Sequence, residues 1–411
     1  MKYCLIGEKL GHSYSREIHC KAGLNYDLVE VKKTDLENFF KTTEYNGFNI
    51  TIPYKIDAIK YVDSLTLDAS LTGAINTVKV LNGKLHAHNT DVDGLNYMIN
   101  RKGVTLKDKN VMILGGGGTS NTAVALCKRE KAKSITVVSR KGEINYQNCY
   151  DKLETEIIIN ATPVGMYPNV EDSILDLSKF SNLIAIFDCI YNPFKTNLIL
   201  QAEDLDLINS NGLPMLVKQA LLSEEFWLDK VISNDVTEKI ISEITNEKSN
   251  LALYGMASSG KTTLGRIIAK KLNRDFIDTD EYIKSKYNKS PSKIITEKGE
   301  SEFRKIETEV VFEVSKLSGK VIALGGGAVL SKENQTALKR NSIMALITRD
   351  LNLLIDKDRP LSKKVGIKEL YESRKPLYDA LKDFEIINNG DIEVAVNGVI
   401  KEYENTCNKR C

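Results

Sequence analysis

Gly255-Met-Ala-Ser-Ser-Gly260-Lys261-Thr262 fits the spacing G-x-x-x-x-G-K-[ST], and the apolar run Leu251 to Tyr254 leads straight into it. In such a strand–turn–helix setting the backbone N–H groups cradle phosphates. The lysine reaches the β and γ oxygens, and the hydroxyl holds Mg²⁺. The segment therefore predicts a nucleoside triphosphate site, with Gly255, Ser259, Gly260 and Thr263 around the phosphates, Lys261 catalytic and Thr262 on the metal. One helix later comes Phe276-Ile-Asp278-Thr-Asp280. Two carboxylates two apart in an extended segment face the same side. That suits one of them near Mg²⁺ and the other near an acceptor hydroxyl, whose proton needs a base. The same residues also read as a helix start capped by Asp280.

A second glycine cluster, Gly115 to Gly118 followed by Thr119-Ser120, comes after the buried-strand run Val111 to Leu114. It is either a dinucleotide fingerprint with Ser120 in the third glycine position or a plain glycine-rich loop. The next strand ends in Ser139-Arg140-Lys141 instead of an acid. An acid there would take the ribose 2′-hydroxyl of NAD, whereas basic residues favour the 2′-phosphate of NADP. The four histidines are His12, His19, His86 and His88, and the last two share one face of a strand. No acids or cysteines cluster beside them in sequence, so no metal site is expected there. The seven cysteines form no C-x-x-C pair and read as reduced, mostly buried thiols.

The elements that must position these groups alternate between strand-like and helix-like, which predicts α/β architecture with largely parallel sheets. With 411 residues, 42% hydrophobic and 27% charged, the chain has the size of two or three globular domains. Its net charge of +2 gives no case for nucleic acid, and no run is long enough to span a membrane. A cytoplasmic protein is expected. Three blocks emerge: 1–101, 102–247 and 248–411. Asn82-Gly83 predicts a type I′ hairpin. Strands are expected at Tyr26 to Val31, Phe48 to Thr51, Ile135 to Val138, Glu156 to Asn160, Leu183 to Phe187 and Asp206 to Ile208. One long helix is expected from Pro214 to about Glu247, its 214–230 part closing the first domain.

Further motifs follow the P-loop: Gly299-Glu-Ser-Glu-Phe303-Arg304, Gly325-Gly326-Gly327, Asp358-Arg359-Pro360-Leu361 and Arg374-Lys-Pro-Leu-Tyr378. Over 249 to 405 this ordered set resembles shikimate kinase. The resemblance implies that Asp280, Arg304 and Arg374 bind shikimate, the two arginines facing its carboxylate as forked guanidinium groups do well. It implies that Gly326 and Gly327 pack on the ring, that Asp278 orders Mg²⁺ and that Arg359 sits in a lid over the phosphates of ATP. The stretch 351–358 lacks the additional arginine that precedes such a lid.

Upstream stand Gly11-His-Ser13-Tyr-Ser15, Gly47-Phe-Asn-Ile-Thr51-Ile-Pro53-Tyr-Lys55, Gly73-Ala-Ile-Asn76-Thr77 and Asn89-Thr-Asp91. After the glycines come Asn160-Ala-Thr162-Pro-Val-Gly165, Asp188-Cys-Ile-Tyr191-Asn-Pro193 and Asn211-Gly212-Leu-Pro-Met215-Leu-Val-Lys-Gln219. These resemble shikimate dehydrogenase over almost all of 1 to 230. The resemblance implies Lys55 and Asp91 as the catalytic pair beside the developing alkoxide. Ser13 and Ser15 would hold the substrate carboxylate, Thr51, Asn76 and Gln219 its hydroxyls, and Tyr191 would assist. NADP(H) would lie against Gly115, Gly117, Gly118, Thr119, Ser139, Arg140, Thr162 and Gly212. Only about twenty residues separate Arg140 from Asn160, so the nucleotide domain is trimmed across 141–155.

The expected architecture is thus an N-terminal α/β substrate domain plus a Rossmann NADP-binding domain. A P-loop, nucleoside monophosphate kinase-like α/β domain with a parallel sheet follows. The expected activity is bifunctional: 3-dehydroshikimate is reduced with NADPH to shikimate, which is then phosphorylated with ATP. The competing readings are quinate or another small polyol acid as substrate of one half, or one half as a silent binding module.

Overall fold

A computed structural model describes residues 1–11, 13–354 and 366–410; Arg359 and His12 lie outside the described residues. The chain divides into two compact units, Met1–Ile241 and Ser242–Cys411.

The first unit holds two sheets. Strands β1 (Tyr3–Gly7), β2 (Tyr26–Glu30), β3 (Gly47–Ile50), β4 (Ser64–Leu65), β5 (Thr77–Leu81) and β6 (Lys84–His88) form a mixed sheet in the order β2-β1-β3-β5-β6-β4. The three strands β2, β1 and β3 are parallel, while β5 runs antiparallel to both β3 and β6. Asn82 and Gly83 both have positive φ, 52° and 74°, as the type I′ turn between β5 and β6 requires. Strands β7 (Asn110–Leu114), β8 (Ser134–Val138), β9 (Ile157–Asn160), β10 (Ala185–Asp188) and β11 (Ile208–Ser210) form an all-parallel sheet, order β11-β10-β9-β7-β8. Such strands are buried on both faces and read as unbroken apolar runs, as Val111 to Leu114 and Ile157 to Ile159 do. Between β8 and β9 there is only a short turn of helix at Cys149–Asp151, so the trimmed 141–155 stretch contributes neither a strand nor an α-helix.

The second unit is a single parallel sheet of β12 (Asn250–Tyr254), β13 (Phe276–Asp278), β14 (Val321–Ala323), β15 (Ser342–Thr348) and β16 (Phe384–Ile387), order β13-β14-β12-β15-β16. One face packs on a core that includes Val310, Val314 and Tyr378, the other on Leu264, Ile268, Val396 and Tyr403. The glycine loop after β7 and the P-loop after β12 each start from a strand flanked on both sides by later strands, β8 and β9 beside β7 and β14 and β15 beside β12. At such a switch point the strand ends leave a crevice for a ligand.

Two expectations need correction. The segment 214–247 is not one helix but two, Leu213–Leu228 and Asn234–Lys248. Asp229 ends the first in the left-handed region, φ 50°, and its carboxylate is held by Lys79 Nζ of β5 at 2.6 Å. Trp227 fixes the same end, donating to Val78 O at 2.9 Å and stacking on Tyr3. A periodicity reading sees two adjoining helical patterns but not the tertiary ties between them. The strand expected at Asp206 to Ile208 forms two residues later, at Ile208–Ser210, because Asp206 has φ 52° and belongs to the turn.

Candidate active sites

In the first unit, β3 ends at Ile50 and the chain turns tightly, so that Thr51 and Lys55 project over the strand ends. Lys55 Nζ donates to Asp91 Oδ2 at 2.6 Å, with the lysine side chain 25% and the aspartate 11% exposed. Asp91 is the first residue of the helix Asp91–Arg101. Its backbone N–H donates to Asn89 Oδ1, and its other oxygen accepts from Asn76 Nδ2 at 3.0 Å. Asn76 is itself fixed, because its Oδ1 accepts from Thr90 N–H while its Nδ2 also faces Thr90 Oγ1 and Gln219 Oε1. A cation, a carboxylate and two amides are therefore held by neighbours before any substrate arrives, the condition for oriented proton transfer.

Gln219 comes from the helix Leu213–Leu228, which lies against Asp91–Arg101 at Gly94. A Cβ on Gly94 would stand 2.8 Å from Met215 O and 2.9 Å from Gln219 Cβ. Leu95, Met98 and Ile99 of the same helix pack into the core of the parallel sheet with Val111, Ile159 and Phe187.

These groups open on a cleft of about 580 Å³ that gathers Ser13, Ser15, Thr51, Lys55, Asn76, Asp91, Tyr191 and Gln219 together. Thr119 and Gly212 line it too, so the glycine loop reaches the same cleft. The loop opens the helix Gly118–Arg129, and Ser120 closes it underneath by donating to Gly115 O at 2.8 Å. Gly116 faces Ser139, Thr162 Cγ2 approaches Gly115, and Arg140 is exposed at the end of β8. Gly115, Gly117, Gly118, Ser139, Arg140 and Thr162 lie outside the cleft's lining. The apolar wall of Met166, Met215 and Leu216 was not read from sequence, nor was Asn49, whose amide joins Tyr26 to Ser223 inside the cleft floor. An asparagine in the otherwise apolar strand Gly47–Ile50 was the available signal.

Tyr191 is carried on a loop anchored by Asp188. That carboxylate is fully buried and accepts from Asn160 Nδ2, Ile190 N–H and Thr196 Oγ1 at 2.9, 3.0 and 2.6 Å. Burial nevertheless pushes it up to about 6 from 3.8. Folding thus favours its protonated form. The contribution to stability is greatest below about pH 4 and declines as the pH rises towards 6. Asp188→Asn puts an amide N–H against one of three donors and is expected to cost about 2 kcal/mol. The apparent Tm of this unit should then fall by about 4–8 °C. In denaturant titrations the gap from wild type should narrow between about pH 4.5 and pH 7, and a gap independent of pH would contradict the assignment.

Acids do gather around one histidine, contrary to the sequence expectation. Ligand atoms of Asp68, His88 and Asp93 lie within 4.8 Å of one another. Arg129 already occupies the cluster, 2.8 Å from Asp93 and 3.8 Å from Asp68, and His88 Nδ1 pairs with Thr66. The group is a charge-paired seam.

In the second unit the P-loop joins β12 to the helix Lys261–Leu272. Lys261 Nζ rests on the carbonyls of Gly255 and Met256, and Thr262 Oγ1 donates to Asp278 Oδ2 at 2.6 Å. Asp278, not Asp280, is the helix cap: its Oδ1 accepts from the N–H groups of Asp280 and Glu281. Asp280 therefore sits in the first turn of the helix Thr279–Tyr287 instead of an extended segment. Both carboxylates still face one pocket of about 280 Å³ with Ser258, Gly260, Lys261, Thr262, Thr263, Gly325 and Gly326. Ser259 is fully buried beneath the loop, its carbonyl held by Asn388, and does not line the pocket.

Arg304 and Arg374 converge behind the glycine turn. Arg374 donates to Gly326 O at 2.9 Å, and a Cβ on Gly327 would stand 2.3 Å from Arg304. A Cβ on Gly325 would meet Asp280 Oδ1 at 2.8 Å and Glu307 Oε1 at 3.1 Å. Glu307 was not singled out in the sequence. It lies one helical turn after Arg304, pairs with it at 2.6 Å, and its carboxyl is held above the usual range by burial. The i,i+3 spacing in Arg304-Lys-Ile-Glu307 was the signal.

Residues 5–78 match the family model "Shikimate dehydrogenase substrate binding domain", and residues 257–404 match "Shikimate kinase". The shikimate dehydrogenase (NADP(+)) of Clostridium beijerinckii is 33% identical over 265 residues, spanning 60% of this chain and 98% of that one. The chain belongs to the shikimate dehydrogenase family. Its dehydrogenase part is followed by a shikimate kinase domain, so the chain is a fusion that carries two activities of the shikimate pathway, the dehydrogenase and the kinase. Shikimate dehydrogenase 1 of Peptoclostridium difficile superposes with a TM-score of 0.55 at 33% identity, covering 59% of this chain and 97% of its own. The shikimate 5-dehydrogenase of Listeria monocytogenes, solved with shikimate and NAD, gives a TM-score of 0.54 at 27% identity, covering 58% and 96%. Among the described residues no helix is long and apolar enough to cross a membrane.

Proposed function

We propose that the first unit reduces 3-dehydroshikimate to shikimate with NADPH and that the second transfers the γ-phosphate of ATP to the shikimate 3-hydroxyl. The observation that carries this reading is the convergence of Lys55, Asp91, Asn76 and Gln219 on one cleft with the serine pair, whose hydroxyls lie 3.1 Å apart. Bound NADPH supplies the hydride. Lys55 donates the proton to the oxygen that becomes the hydroxyl, and Asp91 orients it and balances its charge. Ser13 and Ser15 bind the ring carboxylate, Thr51, Asn76 and Gln219 bind the hydroxyls, and Tyr191 closes the carboxylate side. Gly115, Gly117, Gly118, Thr119, Thr162 and Gly212 seat the dinucleotide. Ser139 and Arg140 take its 2′-phosphate, which makes NADP the preferred form.

In the kinase, the oxygen-only pair Thr262 and Asp278 fits Mg²⁺, a hard ion that prefers oxygen ligands. Bound there with ATP, the ion supplies charge neutralisation on the phosphates. Asp280 accepts the proton of the attacking hydroxyl, Lys261 holds the transferring phosphate, and Arg304 with Arg374 binds the substrate carboxylate. We place the enzyme in the cytosol, and the described residues hold no helix long and apolar enough to cross a membrane.

The test is a coupled assay with 3-dehydroshikimate, NADPH, ATP and Mg²⁺. One NADPH oxidised per shikimate 3-phosphate formed is the expected result. Quinate or gluconate turned over in preference to shikimate by either half would overturn the substrate assignment.

A further inference from the structure

Arg349 follows directly on β15 and lines the phosphate pocket with Ala257, Gly260 and Lys261. Its Nε is buried and has no hydrogen-bond partner among the described residues. The backbone on either side is tied down. Thr348 O accepts from Asn388 N–H at 2.8 Å, and Asp350 N–H donates to Asn389 Oδ1 at 2.9 Å. Asn388 in turn donates through its side chain to Ser259 O of the P-loop, also at 2.8 Å. The strand end that bears Arg349, the P-loop and the loop after β16 are thus cross-linked by hydrogen bonds.

An arginine held this way is not a solvated surface cation. A buried guanidinium N–H without an acceptor is costly, and planar forked donors match phosphate oxygens well. The pocket it faces is built to hold an anion, and Lys261 is the other cation on its wall. The stretch 351–358 contains no arginine, so Arg349 is the last one before the Arg359-Pro360-Leu361 motif.

We propose that Arg349 binds the phosphate chain of the nucleotide in the kinase site, acting as a second cation beside Lys261. The proposal rests on the kinase reading of the P-loop. The experiment compares Arg349→Ala, Arg349→Gln and Arg349→Lys in the full chain. The KM for ATP, the KM for shikimate and kcat are measured, with direct titrations of ADP and inorganic tripolyphosphate. Loss of a charge-assisted phosphate contact should raise the ATP KM and the ADP Kd about 10-fold or more in the Ala and Gln variants. The Lys variant should fall between these and wild type. The shikimate KM should stay within about twofold, which is the control that the kinase unit is folded, and dehydrogenase activity should be unchanged.

Tripolyphosphate affinity should fall as much as that of ADP, because the contact is to phosphate; tripolyphosphate bound as tightly as by wild type would overturn the proposal. So would an Arg349→Gln variant with an unchanged ATP KM, or equal losses for ATP and shikimate. If the alanine variant does not fold, the glutamine and lysine variants decide. The ADP titration also separates this proposal from the kinase reading, since a wild type that binds ADP but does not phosphorylate shikimate fails only the latter.

Discussion

Lys55→Ala is expected to lower dehydrogenase kcat by about 10²–10⁴-fold, the usual contribution of a positioned proton donor, while leaving kinase turnover at the wild-type rate. Lys55 lies 2.6 Å from Asp91 and is itself partly open to the cleft, but its removal leaves the buried Asp91 carboxylate without its cation. The carboxylate keeps the Asn76 amide as a donor to its Oδ1. The loss should appear in kcat, accompanied by a fall in the Tm of this unit from the unpaired carboxylate. Asp91→Asn keeps the shape but removes the charge that orients the lysine, and is expected to produce a loss of similar size. If the two act as one unit, the double variant falls little further than either single one. Steady-state NADPH oxidation checks this, and full activity in Lys55→Ala would remove the lysine from the mechanism.

Lys261→Ala is expected to abolish the second activity in the same way, lowering kinase kcat by about 10²–10³-fold or more. That is the scale for deleting one preorganised group at a site of developing charge. Lys261 is almost wholly buried and is held by the carbonyls of Gly255 and Met256, which set its reach along the loop. Arginine at 261 would not replace it, since a fork needs room that a compact ammonium does not. Because each unit has its own cores, 3-dehydroshikimate reduction should be unaffected. Phosphate transfer persisting at the wild-type rate would refute the role.

The chemistry-bearing residues were legible wherever they are local in sequence. The P-loop spacing, the four glycines and the Asn-Gly hairpin are each specified within a few residues by backbone geometry. Residues whose role is set by distant neighbours were not legible. Asp229 breaks a helical pattern because Lys79, 150 residues earlier, holds it. Asp68 and Asp93 meet His88 only after the sheet forms, with Arg129 between them. The alternative of a helix cap at Asp280 missed the true cap at Asp278, two residues earlier, because the pattern fits both and only the backbone hydrogen bonds separate them. Arg349 belongs to no sequence motif, and only the fold brings it to the pocket of the P-loop.

Gly94 bears no side chain and touches no substrate, yet it governs the dimensions of the first cleft. Asp91 and Gln219 stand on two helices whose separation is limited by excluded volume at this position. The residues lining the cleft can change in size or polarity while that spacing stays fixed. A single methyl group at 94 would push the amide and the carboxylate apart together, leaving every lining residue present and none in register. Substrate fit in this half of the protein is thus specified in part by an atom the chain leaves out.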